Sequence, residues 1–162
     1  MRYLIPLLAL GSLLLGGCSA LSPYSSVTKL DLTLSAAADL NPDLHGRPSP
    51  VVLRLLELKH PVAFENADFF SLYQRADSVL AADLTSVEEL ELSPGKQVRL
   101  KLSVRPTSAY VAVLAAYRDL PETRWRQVIP LTPAGITRTI LILDQHGIHP
   151  ADASPSTPEQ AR

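Results

Sequence analysis

Apolar residues follow three spacings along this chain, and each predicts a different element. An unbroken apolar run, Tyr3 to Leu15, comes first. At about 13 residues it is too short to cross roughly 30 Å of hydrocarbon as a helix. From Lys29 the pattern alternates strictly: Leu30, Leu32 and Leu34 share one face of a strand, and Lys29, Asp31 and Thr33 the other. Residues 51–59 are also strand-like, with an apolar phase that slips at Leu55-Leu56. A bulge or burial on both faces accounts for the slip, and periodicity alone leaves a helix open. Residues 61–84 change to a helical spacing. Phe69, Leu72 and Tyr73 form one stripe, Asn66 or Asp68 can cap it, and Asp77 or Ser78 can start a second short helix toward Leu84.

Alternation resumes at Val87. Leu90 and Leu92 interleave with Glu89 and Glu91, and Val98, Leu100, Leu102 and Val104 with Arg99, Lys101 and Ser103. Ser93-Pro94-Gly95-Lys96 between them fits a type II turn, and residues 105–108 turn the chain again. Residues 110–117 are apolar on both faces, as in a central strand, and residues 125–131 and 136–143 complete the set through a turn at 132–135. The sum is an all-β chain, a β-sandwich of about seven to eight strands with a small helical insertion. The short turns after Val87 predict antiparallel neighbours. The expected divisions are residues 1–17 as a leader, 18–26 as a tether, 27–145 as the sandwich with its insertion at about 61–84, and 146–162 as a flexible tail of His, Pro, Ser, Ala and Gln.

Composition agrees with this outline. Fourteen prolines and seven glycines in short clusters suit a chain of many turns. With 15 basic and 16 acidic side chains the net charge is −1, and no basic stripe argues for nucleic acid. What remains of the 162 residues after the leader suits one domain with a real core.

The leader carries one positive charge, Arg2, ahead of the apolar run, and ends Leu15-Gly16-Gly17-Cys18, small residues at a cleavage boundary. Cys18 is the single cysteine, so an internal disulfide has no partner and the fold must be held by its core. The exit motif resembles the bacterial lipobox. That resemblance implies that Cys18 takes a diacylglyceryl thioether, becomes the first residue after cleavage and is then acylated on its new amino group. One acyl chain binds a bilayer only marginally, whereas several anchor the chain stably. Ser19 is not the aspartate that resembles an inner-membrane retention signal, so the expected location is the periplasmic face of the outer membrane. Residues 19–26 reach at most about 26–29 Å, which keeps the domain close to its membrane.

Candidate chemistry is sparse. No G-x-S-x-G elbow is present, and Cys18 is committed to acylation, so no catalytic residue is assigned and an enzyme is not expected. His146 and His149 have H-x-x-H spacing, but only Asp144 and Asp152 stand near as further ligands, so no metal and no cofactor is assigned. Glu88, Glu89 and Glu91 read as the solvated side of a strand. The segment that invites a function is residues 35–50, a long connection between two strands. It carries Leu40 and Leu44 among Asp39, Asn41, Asp43, His45 and Arg47, and Pro42, Pro48 and Pro50 limit its freedom. Two readings stand side by side: a preshaped loop that offers two apolar anchors to a partner, or a pair of leucines that cap the open end of the sandwich.

The chain also resembles a known family. Arg47-Pro-Ser-Pro-Val-Val-Leu-Arg54 is followed by Asn66-Ala-Asp-Phe-Phe-Ser-Leu-Tyr73, by Asp83-Leu84 with Glu88-Glu89, by Leu92-Ser-Pro-Gly95, by Ala115-Ala-Tyr-Arg118 and by Trp125-Arg126. This order, behind a lipobox, resembles the TssJ family of outer-membrane lipoproteins of the type VI secretion system. The resemblance implies a transthyretin-like sandwich with added helices and a role without chemistry. It implies that the chain anchors the trans-envelope membrane complex by binding the periplasmic C-terminal region of the large inner-membrane subunit, the TssM or IcmF-like protein. It also implies that the 35–50 loop contributes to that contact, with Leu40, Leu44 and Arg47 as its expected anchors. The alternative is a lipoprotein that binds a small molecule or envelope polymer on an exposed face near Tyr110, Tyr117 and Trp125.

Overall fold

The computed structural model describes residues 27–153; the leader, Cys18 and residues 154–162 lie outside the described residues. Among the described residues, eight strands form two four-stranded sheets. The first sheet runs β4 (Gln97–Ser103), β1 (Lys29–Ala36), β7 (Ile136–Asp144), β8 (Gly147–Pro150). The second runs β3 (Leu84–Leu92), β2 (Val51–Leu58), β5 (Tyr110–Ala115), β6 (Arg126–Pro130). Between β2 and β3 lie a one-turn helix α1 (Val62–Asn66) and a longer helix α2 (Phe69–Leu80). No helix among the described residues is long and apolar enough to cross a membrane.

Two hydrophobic clusters make three layers. Leu30, Leu32 and Leu34 of β1 and Leu141 and Leu143 of β7 meet Val51, Leu53 and Leu55 of β2 and Val111 and Val113 of β5 between the sheets. On the other side of the second sheet, Leu56, Leu58, Ala112 and Leu114 pack against Phe64, Phe69, Leu72, Ala76 and Leu80 of the helices. The apparent slip at Leu55-Leu56 is therefore no change of phase. β2 keeps its period of two throughout, and from Leu56 its second face is covered by the helices. Burial on both faces therefore explains the slip, and neither a bulge nor a helix is needed for it: the one register irregularity comes later, at Glu57/Leu58, where Thr85 of β3 is skipped.

The helical insertion departs from its expected outline. Asp68, not Asn66, caps α2, its carboxylate accepting from the Ser71 N–H at 2.9 Å. The expected second short helix is present as the segment that follows a break at Arg75, whose φ −139° and ψ 39° are not helical. It starts just ahead of Asp77 and ends at Leu80, and β3 begins at Leu84 rather than Val87. Two arginines on the helix side of the second sheet hold this layer down. The Arg54 guanidinium donates to Glu89 at 2.7 Å and to the Tyr73 carbonyl, lying 4.2 Å from the Tyr73 ring. Arg126 donates to the carbonyls of Phe64 and Ala67, supplying acceptors at the end of α1 with their partner.

The antiparallel expectation after Val87 holds only in part. β5–β6 and β7–β8 pair antiparallel, but the turns at 93–96, 105–108 and 132–135 each carry the chain from one sheet to the other. β4 pairs with β1, and β1 pairs parallel with β7. Alternation states which face of a strand is apolar, not which strand lies beside it, and Leu92 and Leu100 fill the same space from opposite sheets. The type II turn is as expected: Gly95 has φ 69° and Lys96 N–H donates to Ser93 O at 3.1 Å. The flexible tail expected over 146–162 does not hold at its start, because residues 147–150 form β8, with Leu143 opposite Ile148, and Ile148 belongs to the core; residues 154–162 lie outside the described residues.

Candidate functional site

The loop between β1 and β2 leaves the sandwich at Ala37, which is held from both sides. Its N–H donates to Leu143 O at 2.8 Å, and its carbonyl accepts from Gly95 N–H at 3.1 Å. Leu40 then turns inward and is completely buried in the inter-sheet core. Asn41 follows at φ 47° and is buried as well. Its amide donates to Pro50 O at 2.8 Å, its side-chain oxygen accepts from Arg118 N–H at 2.9 Å, and its backbone carbonyl accepts from the Ser49 hydroxyl at 2.5 Å. Arg118 Nε donates to that same hydroxyl at 3.1 Å. One asparagine thus ties both arms of the loop to the β5–β6 connection. Asparagine suits this position, since it tolerates a positive φ and carries both a donor and an acceptor.

Beyond Asn41 the tip closes on itself. The Asp43 carboxylate accepts from His45 N–H at 2.8 Å, Arg47 N–H at 3.0 Å and Arg47 Nε at 2.8 Å. Asp43 N–H donates to Arg47 O, and Gly46 takes φ 75° to complete the turn. The backbone donors of Arg47 and His45, and then the Arg47 side chain, hold the Asp43 carboxyl below its ordinary value of 3.8. A depressed carboxyl pKa contributes order that is present above the ordinary value and is lost as pH falls through the lower one. Amide exchange protection at His45 and Arg47 is therefore expected to stay constant from neutral pH to pH ~4, the ordinary carboxylate range, and to vanish only below it.

This scaffold leaves Leu44 at the apex with 102% relative exposure, flanked by exposed His45 and Arg47. The two leucines of the loop divide between the two readings: Leu40 caps the core, and Leu44 faces outward. Of the other expected binding residues, Asp39 is exposed near the base of the loop, Asn41 is a buried brace, and Asp43 closes the tip. The acylation site expected at Cys18 lies outside the described residues. Sequence reasoning gave no separate role to Arg118, which lies 77 positions from the asparagine it contacts; no local pattern marks such a pairing.

An open cleft of about 790 Å³ separates the tip from the β5–β6 connection and the β7–β8 turn, with Leu44, Arg118, Asp119, Glu122 and His146 on its walls. At its base Tyr117 is only 4% exposed, and its hydroxyl is the one buried side-chain polar atom among the described residues without a hydrogen-bond partner. Burial, then the charges of Asp144 and Asp39, push the phenol pKa well above its usual range. An unsatisfied buried hydroxyl costs about 1–3 kcal/mol. Tyr117→Phe is accordingly expected to raise unfolding free energy by about 1 kcal/mol in urea titrations; a loss of stability would mean that the hydroxyl has a partner.

The exposed aromatic face that a small-ligand function needs is not formed. Tyr117 is buried, Tyr110 packs into the helix-side cluster, and Trp125 sits edge-on to Phe69 at 5.4 Å. Among the described residues, no three His, Cys, Asp or Glu side chains gather to hold a metal ion.

Comparison with known proteins is consistent with this geometry. The family described as type VI secretion lipoprotein, VasD, EvfM, TssJ, VC_A0113 matches residues 28–146. The chain belongs to that family. It is a family of structural lipoproteins of the secretion system rather than of enzymes. The fold is similar to that of the T6SS lipoprotein TssJ1 from Pseudomonas aeruginosa, with 35% identity over 76% of this chain and 95% of that one and a TM-score of 0.75. Serratia marcescens Lip, a membrane-bound component of the type VI secretion system, is 26% identical over 76% of this chain and 96% of its own, with a TM-score of 0.70. A chain in the structure described as the T6SS protein TssM C-terminal domain from EAEC shares the fold at 23% identity, covering 76% of this chain and 97% of that one, with a TM-score of 0.64. No curated protein sequence matches the chain.

Proposed function

We propose that this family member is the outer-membrane anchor of the secretion system's trans-envelope complex, held on the periplasmic face by acyl groups at Cys18. Its β1–β2 loop grips the periplasmic C-terminal region of the large inner-membrane subunit, the TssM or IcmF-like protein. The observation that carries this reading is the loop itself. Asn41 and Asp43 fix its backbone while Leu44 stands fully exposed above an open cleft. A leucine held out in water on a rigid support has little left to lose in conformational entropy when a partner covers it. His45 and Arg47 beside it supply polar contacts at the rim. The lipobox motif at residues 15–18, Ser19 after it, and the neighbour described by its TssM domain support the membrane and the partner.

The test uses Cys18→Ser, which removes the thiol that would be acylated and changes none of the described residues. The variant is expected to leave the outer-membrane fraction yet to give a saturable calorimetric titration with the periplasmic C-terminal region of the cognate inner-membrane subunit. Retention of the variant in the membrane fraction would overturn the anchor. A flat titration would overturn the partner.

A further inference from the structure

Among the described residues no helix packs on the outward face of the first sheet, and the composition of that face is unlike that of the rest of the described chain. The registers of β1 with β4 and β7 set its rows. Ser103, Lys29 and Ile136 form the first, Lys101, Asp31 and Arg138 the second, and Arg99, Thr33 and Ile140 the third. Lys29, Arg99, Lys101 and Arg138 are all exposed, and Asp31 is the one carboxylate in these rows, bound by Arg99 at 2.7 and 2.5 Å. The whole chain carries −1, so this face is a local reversal of the molecule's sign. Ile136 and Ile140 stand among the cations at 48% and 49% exposure, and a shallow groove of about 480 Å³ runs between Lys29, Lys101, Ile136 and Arg138.

The described chain enters β1 at the end of the sheet that carries the first row: Lys29 N–H donates to Gly135 O, and Val104 N–H to Thr28 O. Residues 19–26 reach at most about 26–29 Å, close to the length of an eight-residue strand. An acylated Cys18 therefore holds the domain within its own dimensions of the bilayer, at a high effective concentration of headgroups.

We propose that this face of the first sheet rests on the anionic phosphate headgroups of the anchoring membrane. Lys29, Lys101 and Arg138 contact phosphate oxygens, Ile136 and Ile140 sit at the headgroup boundary, and the loop tip and cleft stay free for the partner. The proposal takes its location from the lipid-anchor reading, but the surface is testable without the anchor. Lipid is favoured over an acidic protein because the cations surround exposed isoleucines and because the chain enters β1 at the first row of this face, soon after the expected anchor and its tether of residues 19–26. Charge attraction of this kind adds roughly fivefold in partitioning per Lys or Arg near the surface and is screened by salt.

The decisive measurement is sedimentation of the mature chain carrying Cys18→Ser with vesicles. Every described member of the two hydrophobic clusters lies between Leu30 and Ile148, so the mature chain carrying Cys18→Ser keeps all of them. At low salt the chain is expected to bind vesicles of equal parts phosphatidylglycerol and phosphatidylcholine, but not pure phosphatidylcholine. Lys101→Gln with Arg138→Gln should weaken that binding by roughly 25-fold, whereas Arg75→Gln on the helix layer should leave it unchanged. Absence of binding to the anionic vesicles, or binding indifferent to the paired substitution, would overturn the proposal. The same paired variant should titrate the inner-membrane subunit's periplasmic region as the parent does, so loss of headgroup binding and loss of the partner are read separately. Circular dichroism confirms that each variant is folded, and Lys29→Gln with Arg138→Gln provides a second pair should the first fail to fold.

Discussion

Gly147→Ala is expected to lower unfolding free energy by about 3–5 kcal/mol, a large fraction of what a domain of this size has. Gly147 opens β8 at φ 119°, a conformation nearly closed to residues with a Cβ. A Cβ there would lie 2.3 Å from the Arg124 carbonyl oxygen and 2.5 Å from the Arg124 nitrogen. Those atoms cannot step aside. Arg124 N–H donates to His146 O at 2.9 Å, and Ile148 N–H donates to Arg124 O at 2.8 Å, so relief of the clash breaks the bonds that hold β8 to the β5–β6 connection. Backbone strain of about 1–3 kcal/mol and overpacking of similar size act together here. Gly46→Ala separates the two effects. Gly46 also has a positive φ, 75°, but nothing lies within 4 Å of its Cβ position, so strain alone should cost about 1–2 kcal/mol. Urea unfolding of both variants gives the comparison; equal losses would mean that the approach of Arg124 does not matter.

The same contrast explains what the sequence made legible. Faces were readable because a face depends on period alone. Leu30, Leu32 and Leu34 point inward as their alternation requires, and the capped stripe at Phe69 and Leu72 lies on the second sheet. Partners were not readable, because pairing is decided by residues far apart. Nothing local in residues 29–36 states that β7, a hundred residues later, lies parallel beside them. The basic face follows from that pairing: Lys29, Lys101 and Arg138 are scattered in sequence and adjacent only through the registers of three strands. β8 was hidden for a different reason. Residues 147–150 are few and include Gly, His and Pro, so Ile148 carries the strand's burial almost alone. Length and composition already marked the β1–β2 loop, and the family resemblance added a partner for it. Both gave Leu40 and Leu44 the same role, and only their burial separates them.

Leu40 and Leu44, four positions apart on that loop, are expected to fail in opposite ways. Leu40 has no exposed surface and packs in the core between the sheets, so Leu40→Ala removes buried methyl groups and leaves a cavity, at a cost of about 2–5 kcal/mol. Its backbone also takes part in the brace, since Leu40 O accepts from Ser49 N–H at 3.0 Å, and the cavity loosens the base from which the tip projects. Leu44→Ala removes a side chain that touches water on all sides, so stability should stay within about 0.5 kcal/mol. In the proposed complex the order reverses. Burial of a leucine against a partner contributes about 1.5–3 kcal/mol, so Leu44→Ala should weaken the titration with the inner-membrane subunit's periplasmic region at least tenfold. Leu40→Ala, measured well below its lowered melting temperature, should weaken it much less, because Asn41 and Asp43 still hold the tip through hydrogen bonds that Leu40 does not make. Urea unfolding and calorimetry on the two variants form a two-by-two comparison. A Leu44 variant that binds as the parent does would move the contact away from the apex, to the cleft wall or to the exposed Val62 and Phe70 of the helical layer. A Leu40 variant as stable as the parent would contradict the burial that assigns it to the core, and with it the division of labour within the loop.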